Sequence, residues 1–259
     1  LYGYDGTICT KNQLITEITD VYDYVLAHSP LKAEKMHESL VILVPNSGDY
    51  SGVTYYADKN LTLSICPPSE RSYPQDMRGV IQHEAGGHGF GRLGDEEIIY
   101  TKWATQSTIY DIEEKQSWGW YQNIATTSNM KQVPWADFIF DTRYSDYVDV
   151  YEGAYGYMRG IFRSEANSCM NYGIPYYNVA SRLSIMQRIL SCAGEWFNMD
   201  YFYANDSKAW GETGSRSVWS EGSSYGKSSL HKVPAFIDMQ QMGKAVNDIR
   251  EKTKSKRIY

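Results

Sequence analysis

Histidine and cysteine are scarce in this chain, with five and four residues among 259. The cysteines, Cys9, Cys66, Cys169 and Cys192, form no C-x-x-C pair, which excludes a zinc ribbon and leaves at most two disulfides whose pairing the spacing does not specify. No apolar run approaches the roughly 20 residues that cross a bilayer, so no membrane-spanning segment is expected. Positive charge is also in deficit. A formal net charge of -6 and an isoelectric point near 5.4 argue against the concentrated basic face that phosphate backbones require, and nucleic acid is not an expected partner. The one basic cluster, at residues 250–259, reads as a solvated helix end. No charged segment followed by an apolar one opens the sequence, so any export signal is expected to lie outside these residues.

What remains is the composition of an ordinary globular protein, 42% hydrophobic and 22% charged, long enough for one large domain or one domain with an appendage. Residues 19–36 read as helix interrupted at Pro30, and SLVILVP, Ser39 to Pro45, as a buried strand. NLTLSICPP, Asn60 to Pro68, alternates apolar and polar residues as a half-buried strand ended by its prolines. A helix is expected from Ser72 or Asp76, either of which could cap it, and a second over Thr108 to Asn123. Residues 137–151 read as loop and short strand. A further helix carries Val179, Leu183, Met186 and Leu190 as a core stripe, with Gly194 as its C-cap. Beyond about Asn205 the chain turns Gly- and Ser-rich before a last helical stretch from about Phe236 to Lys254, so residues 206–259 are expected as a loop and terminal helix packing on a body of residues 1–205.

Two of the five histidines lie in GVIQHEAGGHGFGRLGDEE, Gly79 to Glu97. The pattern H-E-x-x-H delivers two imidazoles to one metal because residues four apart share a helix face. Here His83 and His88 are five apart, and at roughly 100° per residue an ideal α-helix would point them about 140° from one another. A single-residue π-bulge absorbs the extra residue, and Gly86 and Gly87 lie in the turn that must widen. Glu84, beside the first histidine, is the expected general base on a zinc-bound water. A catalytic zinc wants three protein ligands; after a Gly-rich turn Asp95 is the choice for the third, with Glu96 second. His28, His37 and His231 have no ligand-like neighbours. The competing reading is a Gly-rich turn with incidental histidines; the helical run before the motif, the placement of its glycines and the acidic residues after it favour a metal.

HEAGGHGFGRLGDEE resembles the signature of the IgA-peptidase-type zinc metallopeptidases of bacteria, with H-E, Gly-His, an apolar residue and then Leu-x-Asp-Glu. The spacing alone is also similar to dipeptidyl peptidase III, but the continuation favours the first family. The likeness extends through PWADFI, Pro134 to Ile139, and YEGAYGYMRGIFRSEANSCMN, Tyr151 to Asn171, covering roughly residues 40 to 195. It departs at Glu97, where the family has an aromatic residue, and after about residue 200.

The resemblance implies an α+β, metzincin-like catalytic domain with a small mixed β-sheet, an active-site helix and a helical C-terminal half. It also implies Zn2+ on His83, His88 and Asp95, Glu84 as base, and Met170 beneath the metal site. Tyr155, Tyr157 or Tyr172 is the expected oxyanion donor, with Tyr157 taken as the site residue, and Arg159 and Arg163 are expected in substrate contacts or structural ion pairs. The implied activity is endoproteolysis of a protein or peptide, host glycoproteins included, by a secreted, cell-surface or periplasmic monomer. Substrate is expected to lie along a sheet edge, with Asn60 to Cys66 as the edge strand. The alternatives are a non-catalytic protein- or glycan-binding module on the same fold, and an amidase or aminopeptidase acting on small substrates.

Overall fold

The computed structural model describes residues 11–46, 52–57, 61–69, 71–72, 76–206 and 231–237, with backbone alone for 11–17 and 231–237. Helix α1, Lys11–His28, ends just before Pro30, whose ring restricts the residue ahead of it, and a 3-10 turn, Ala33–Glu38, leads into the first sheet. The β-branched run after Ser39 forms β1, Leu40–Leu43, and the alternating LTLSI forms β3, Leu61–Ile65. Between them lies β2, Gly52–Ala57, which sequence analysis does not foresee. All six of its residues are buried, so its β-branched and aromatic content is the only strand signal it carries.

The first sheet has the order β1-β3-β2-β8, where β8 is His231–Ile237. Strands β1 and β3 are parallel, β2 is antiparallel to β3 with Val53 opposite Ile65, and β8 is parallel to β2. The expectation that β3 is an edge strand is therefore overturned: β1 and β2 take both of its edges. The expected terminal helix from Phe236 meets strand at residues 236–237, and its remainder lies outside the described residues.

Period-2 alternation divides the sheet into two unlike faces. Val53, Tyr55, Ala57, Leu63 and Ile65 pack with Ile18 and Tyr22 of α1. Thr54, Thr62 and Ser64 point the other way, yet they are as buried as the apolar set, which corrects the half-buried reading of β3. Their hydroxyls are satisfied from the helix behind: Thr54 and Ser64 donate to the Glu84 carbonyl, and Arg92 donates to Thr62. A polar face can be buried without penalty only when each group finds such a partner.

That helix is α2, Met77–Ile81, capped by Asp76, whose side chain accepts from Arg78 N, and continued by a π-helix, Gln82–Phe90. A second sheet follows, β4 (Ile98–Trp103), β7 (Gly156–Arg163) and β5 (Ile124–Ala125) in that order, with β6 (Tyr151–Ala154) also on β7. Helix α3, Gln106–Ser117, starts at Thr105, whose hydroxyl accepts from Thr108 N. Residues 137–151 hold part of a short helix, α4 (Ala136–Ile139), then turns. Short α5 (Cys169–Tyr172) precedes α6 (Val179–Ala193), closed by left-handed Gly194 as its sequence predicts, and α7 (Met199–Asn205). Val179, Leu183 and Met186 of the α6 stripe pack with Trp135, Phe138 and Phe202, and Leu190 is also buried.

The architecture is mixed, with two small mixed sheets and several helices, as the α+β expectation requires. Cys66, Cys169 and Cys192 are free thiols, and burial pushes Cys66 up to about 12; Cys9 lies outside the described residues. Among the described residues no helix is long and apolar enough to cross a membrane.

Glu165 joins this body at the start of α6, accepting from Tyr176 Oη and Val179 N, both at 2.7 Å. Burial pushes its carboxyl up from 4.5 to about 7, against the opposing pull of Arg182, Tyr176 and Val179 N. The folded state thus holds this proton more tightly than the unfolded chain, so its contribution to stability is complete below about pH 4.5 and is lost as pH rises toward 7. In metal-free protein, the fall in unfolding free energy across that window is expected to exceed that of Glu165→Gln by up to about 3 kcal/mol, measured by urea titration at each pH.

Candidate metal centre

In the π-helix each amide bonds about five residues back, so residues five apart stack on one face, and His83 and His88 come together. The widening predicted near Gly86 and Gly87 is present and extends over nine residues rather than one bulged turn. Neither glycine adopts a left-handed φ, so backbone freedom is not their reason. Space is. A Cβ on Gly86 would sit 2.6 Å from Tyr177 Oη, and one on Gly87 would overlap Met170 Sδ. Tyr177 uses that room to donate to the Gln82 carbonyl. On the sheet side, a Cβ on Gly89 would meet Ser64 Oγ at 2.8 Å.

The helix does not end on a glycine in the left-handed region. Arg92 takes that conformation, with φ 55°, while Gly91 stays helical. A left-handed non-glycine residue costs on the order of 1 kcal/mol, and here the surroundings impose it. The Arg92 guanidinium lies over Tyr56 and Trp120, 5.0 and 4.7 Å from the ring centroids, and bonds Thr62. Burial lowers its pKa to about 10, which leaves it charged.

Both imidazoles are fixed from behind. His83 Nδ1 lies 2.9 Å from the Cys169 carbonyl and His88 Nδ1 2.8 Å from the Leu93 carbonyl. A carbonyl only accepts, so each Nδ1 carries the ring proton and each Nε2 presents its lone pair. Those two Nε2 atoms face one another at 3.0 Å. Neutral rings so oriented repel unless something positive lies between them, and a backbone carbonyl behind each ring is the usual support of a metal-ligating histidine.

Asp95 supplies the third donor. Its Oδ1 accepts from Glu97 N at 3.1 Å, whereas Oδ2 is buried without a hydrogen-bond partner. Burial, with the nearby Glu84 and Glu96 carboxylates adding to it, pushes this carboxyl up to about 7, so the site favours an added positive charge. His83, His88 and Asp95 are fully buried and offer one ligand atom each, all within 4.8 Å of one another. This group could hold a metal ion.

The alternative third ligand is committed elsewhere. Glu96 accepts from Asn123 and Asn178 on Oε1 and from Ser168 on Oε2, and its own N–H donates to the Met170 carbonyl. It ties the turn after the π-helix to α5 and α6. Neither this knot nor the role of Tyr177 is legible in the sequence, since their partners are remote in the chain. Glu84 stays beside the donors: Thr54 Oγ1 lies 2.9 Å from its Oε2, and a Cβ on Gly52 would be 2.7 Å from its Oε1.

Most of the other expected site residues have partners of their own. Tyr157, on β7, accepts from Thr108 Oγ1 at 3.1 Å and packs near Tyr100 and Lys102. Tyr155 donates to Asp111, and its backbone N–H holds the Asp95 carbonyl. Tyr172 is half-buried on α5, two residues past Met170. Arg159 pairs with Glu152, and Arg163 donates to the carbonyls of Gly153 and Ala166. His28 and His37 are exposed.

No protein-family model and no curated protein sequence matches this chain.

The two acidic neighbours should separate in experiment. Asp95→Asn keeps an acceptor for Glu97 N, so metal-free stability should hold close to wild type while affinity for Zn2+, read by chelator competition, falls by more than about tenfold. Glu96→Ala strands three buried donors, and its unfolding free energy should drop by about 3 kcal/mol or more even without metal.

Proposed function

We propose that the protein is a zinc-dependent endopeptidase whose metal is held by His83, His88 and Asp95. The observation that carries this reading is the convergence of two Nε2 atoms and an Asp95 carboxylate whose Oδ2 has no hydrogen-bond partner, with the Glu84 carboxylate near enough to raise the pKa of Asp95. Two imidazole nitrogens and one carboxylate oxygen form the donor set of a catalytic rather than a structural zinc, which leaves a position for water. The resemblance to IgA-peptidase-type metallopeptidases, and with it a metzincin-like arrangement, is part of the proposal. Its support is Met170, fully buried and packed against Gly87 between the two histidines, together with the turn that returns Asp95 to them.

When bound, zinc lowers the pKa of a water to near 7 and polarises a peptide carbonyl. Glu84 does the proton work. Its Oε2 lies 2.9 Å from Thr54 Oγ1 and its Oε1 beside Gly52, and this carboxylate would take a proton from a zinc-held water and pass it to the leaving nitrogen. Glycine at position 52 leaves the carboxylate this place; a side chain there would collide with it. Since β2 contributes both Gly52 and Thr54, it is the strand that meets Glu84, and the edge it turns away from β3, which β8 pairs, is where an extended peptide could be held if β8 were displaced.

One observation favours the binding-module alternative. Tyr100, Trp103 and Tyr110 are exposed on β4 and α3, with Lys102 4.6 Å from the Tyr100 ring centroid. Such a surface could hold a protein or glycan without hydrolysis.

The two readings part on Glu84→Ala. The variant should bind zinc in one-to-one ratio and retain the wild-type thermal midpoint within a few degrees, and cleavage of an unfolded protein such as reduced casein should fall by at least about 100-fold. Zinc binding with no cleavage by the wild type would instead favour the binding module, and wild-type protein without zinc would remove the metal site.

A further inference from the structure

The edge that β2 turns away from β3 is occupied by the chain itself. Strand β8 runs parallel to β2 in a register from Gly52 opposite His231 to Ala57 opposite Ile237, so it spans the whole strand. Its first residue lies across from Gly52, the residue against which Glu84 is packed. Glu84 and the three metal donors are fully buried. An extended peptide satisfies a strand edge through the same backbone groups that β8 uses, so the two cannot occupy β2 together.

The pairing is built to be released. Between Val53 and Tyr55 the register slips: β8 advances from Lys232 to Ala235 while β2 advances two residues. The irregularity contains Pro234, which has no N–H to donate. Parallel pairing is also somewhat weaker per residue than antiparallel. As part of the same chain, β8 competes for β2 at an effective concentration of order millimolar, which a free peptide must exceed.

We propose that β8 is a cis-acting inhibitor strand that closes the peptide edge of this site until it is displaced. The proposal rests on the peptidase reading for its consequence, but its test begins with binding. A fluorescein-labelled peptide of residues 231–237 is titrated into metal-free full-length protein and into the double variant Ala235→Pro, Phe236→Pro, in which whichever residue donates to β2 can no longer do so. The wild type should bind at least about tenfold more weakly than the variant. Exchange of those amides of residues 52–57 that point to β8 rather than to β3 should be slow in wild type, fast in the variant and slow again once peptide is added. Equal peptide binding by both proteins, or fast exchange of those amides in wild type, would overturn the proposal. If the variant does not fold, a specific-protease site placed between Asp206 and His231 and cut after folding tests the same point, because β8 then dissociates on dilution; unchanged protection of those amides after cutting and dilution would count against it.

With zinc added, the opened protein should cleave reduced casein at least about tenfold faster than wild type. Peptide binding gained with equal cleavage by both would overturn inhibition by β8. Peptide binding gained with no cleavage by either would leave β8 as the occupant of the edge and remove the peptidase reading instead.

Discussion

Two backbone carbonyls decide what this site can be. Cys169 O and Leu93 O each hold the Nδ1 of one histidine, and so turn both Nε2 lone pairs toward a single point. Neither carbonyl belongs to the helix that carries the histidines. One comes from α5 and the other from the turn after the π-helix, so both segments must be in place before the imidazoles share a target. Much of the remaining structure serves that arrangement: Glu96 fastens the turn to α5 and α6, and Arg92 fastens it to the first sheet.

The π-helix and the surrounding chain depend on each other through close approach. Tyr177 and Met170 press on one side at Gly86 and Gly87, and Leu40 and Ser64 press on the other at Gly89. Successive glycines would ordinarily cost a helix roughly 1 kcal/mol each. Here packing in the space they leave, and hydroxyls that reach the helix carbonyls from Thr54, Ser64, Tyr56 and Tyr177, offset that cost.

The two adjacent acidic residues show how environment divides labour between similar groups. Both Asp95 and Glu96 are buried, and burial raises both pKa values. Glu96 is ringed by neutral donors and acts as a structural joint, whereas one oxygen of Asp95 is left over for a cation. Opposite them, β2 brings Gly52 and Thr54 to Glu84 on its polar face, and β8 lies along the outer edge of the same strand.

Local chemistry was sufficient for several parts of this protein. The stop at Gly194, the strands β1 and β3, a cap at Ser72 or Asp76 and the need for a wider turn between His83 and His88 are properties of a few neighbouring residues, and the sequence alone determined them; the nine-residue extent of the π-helix rests on its remote partners. The preference for Asp95 over Glu96 was legible only as distance past the turn; the three partners that commit Glu96 come from residues 123, 168 and 178. Strand β2 escaped because both of its faces are buried and its pattern therefore does not alternate. Residues 231–237 were read as loop running into helix because a strand held by pairing need not announce itself in its own propensity. Tertiary structure decided which polar groups could be buried, which acid was left for a metal and which strand took the edge of β2, because each depends on a partner brought from elsewhere in the chain.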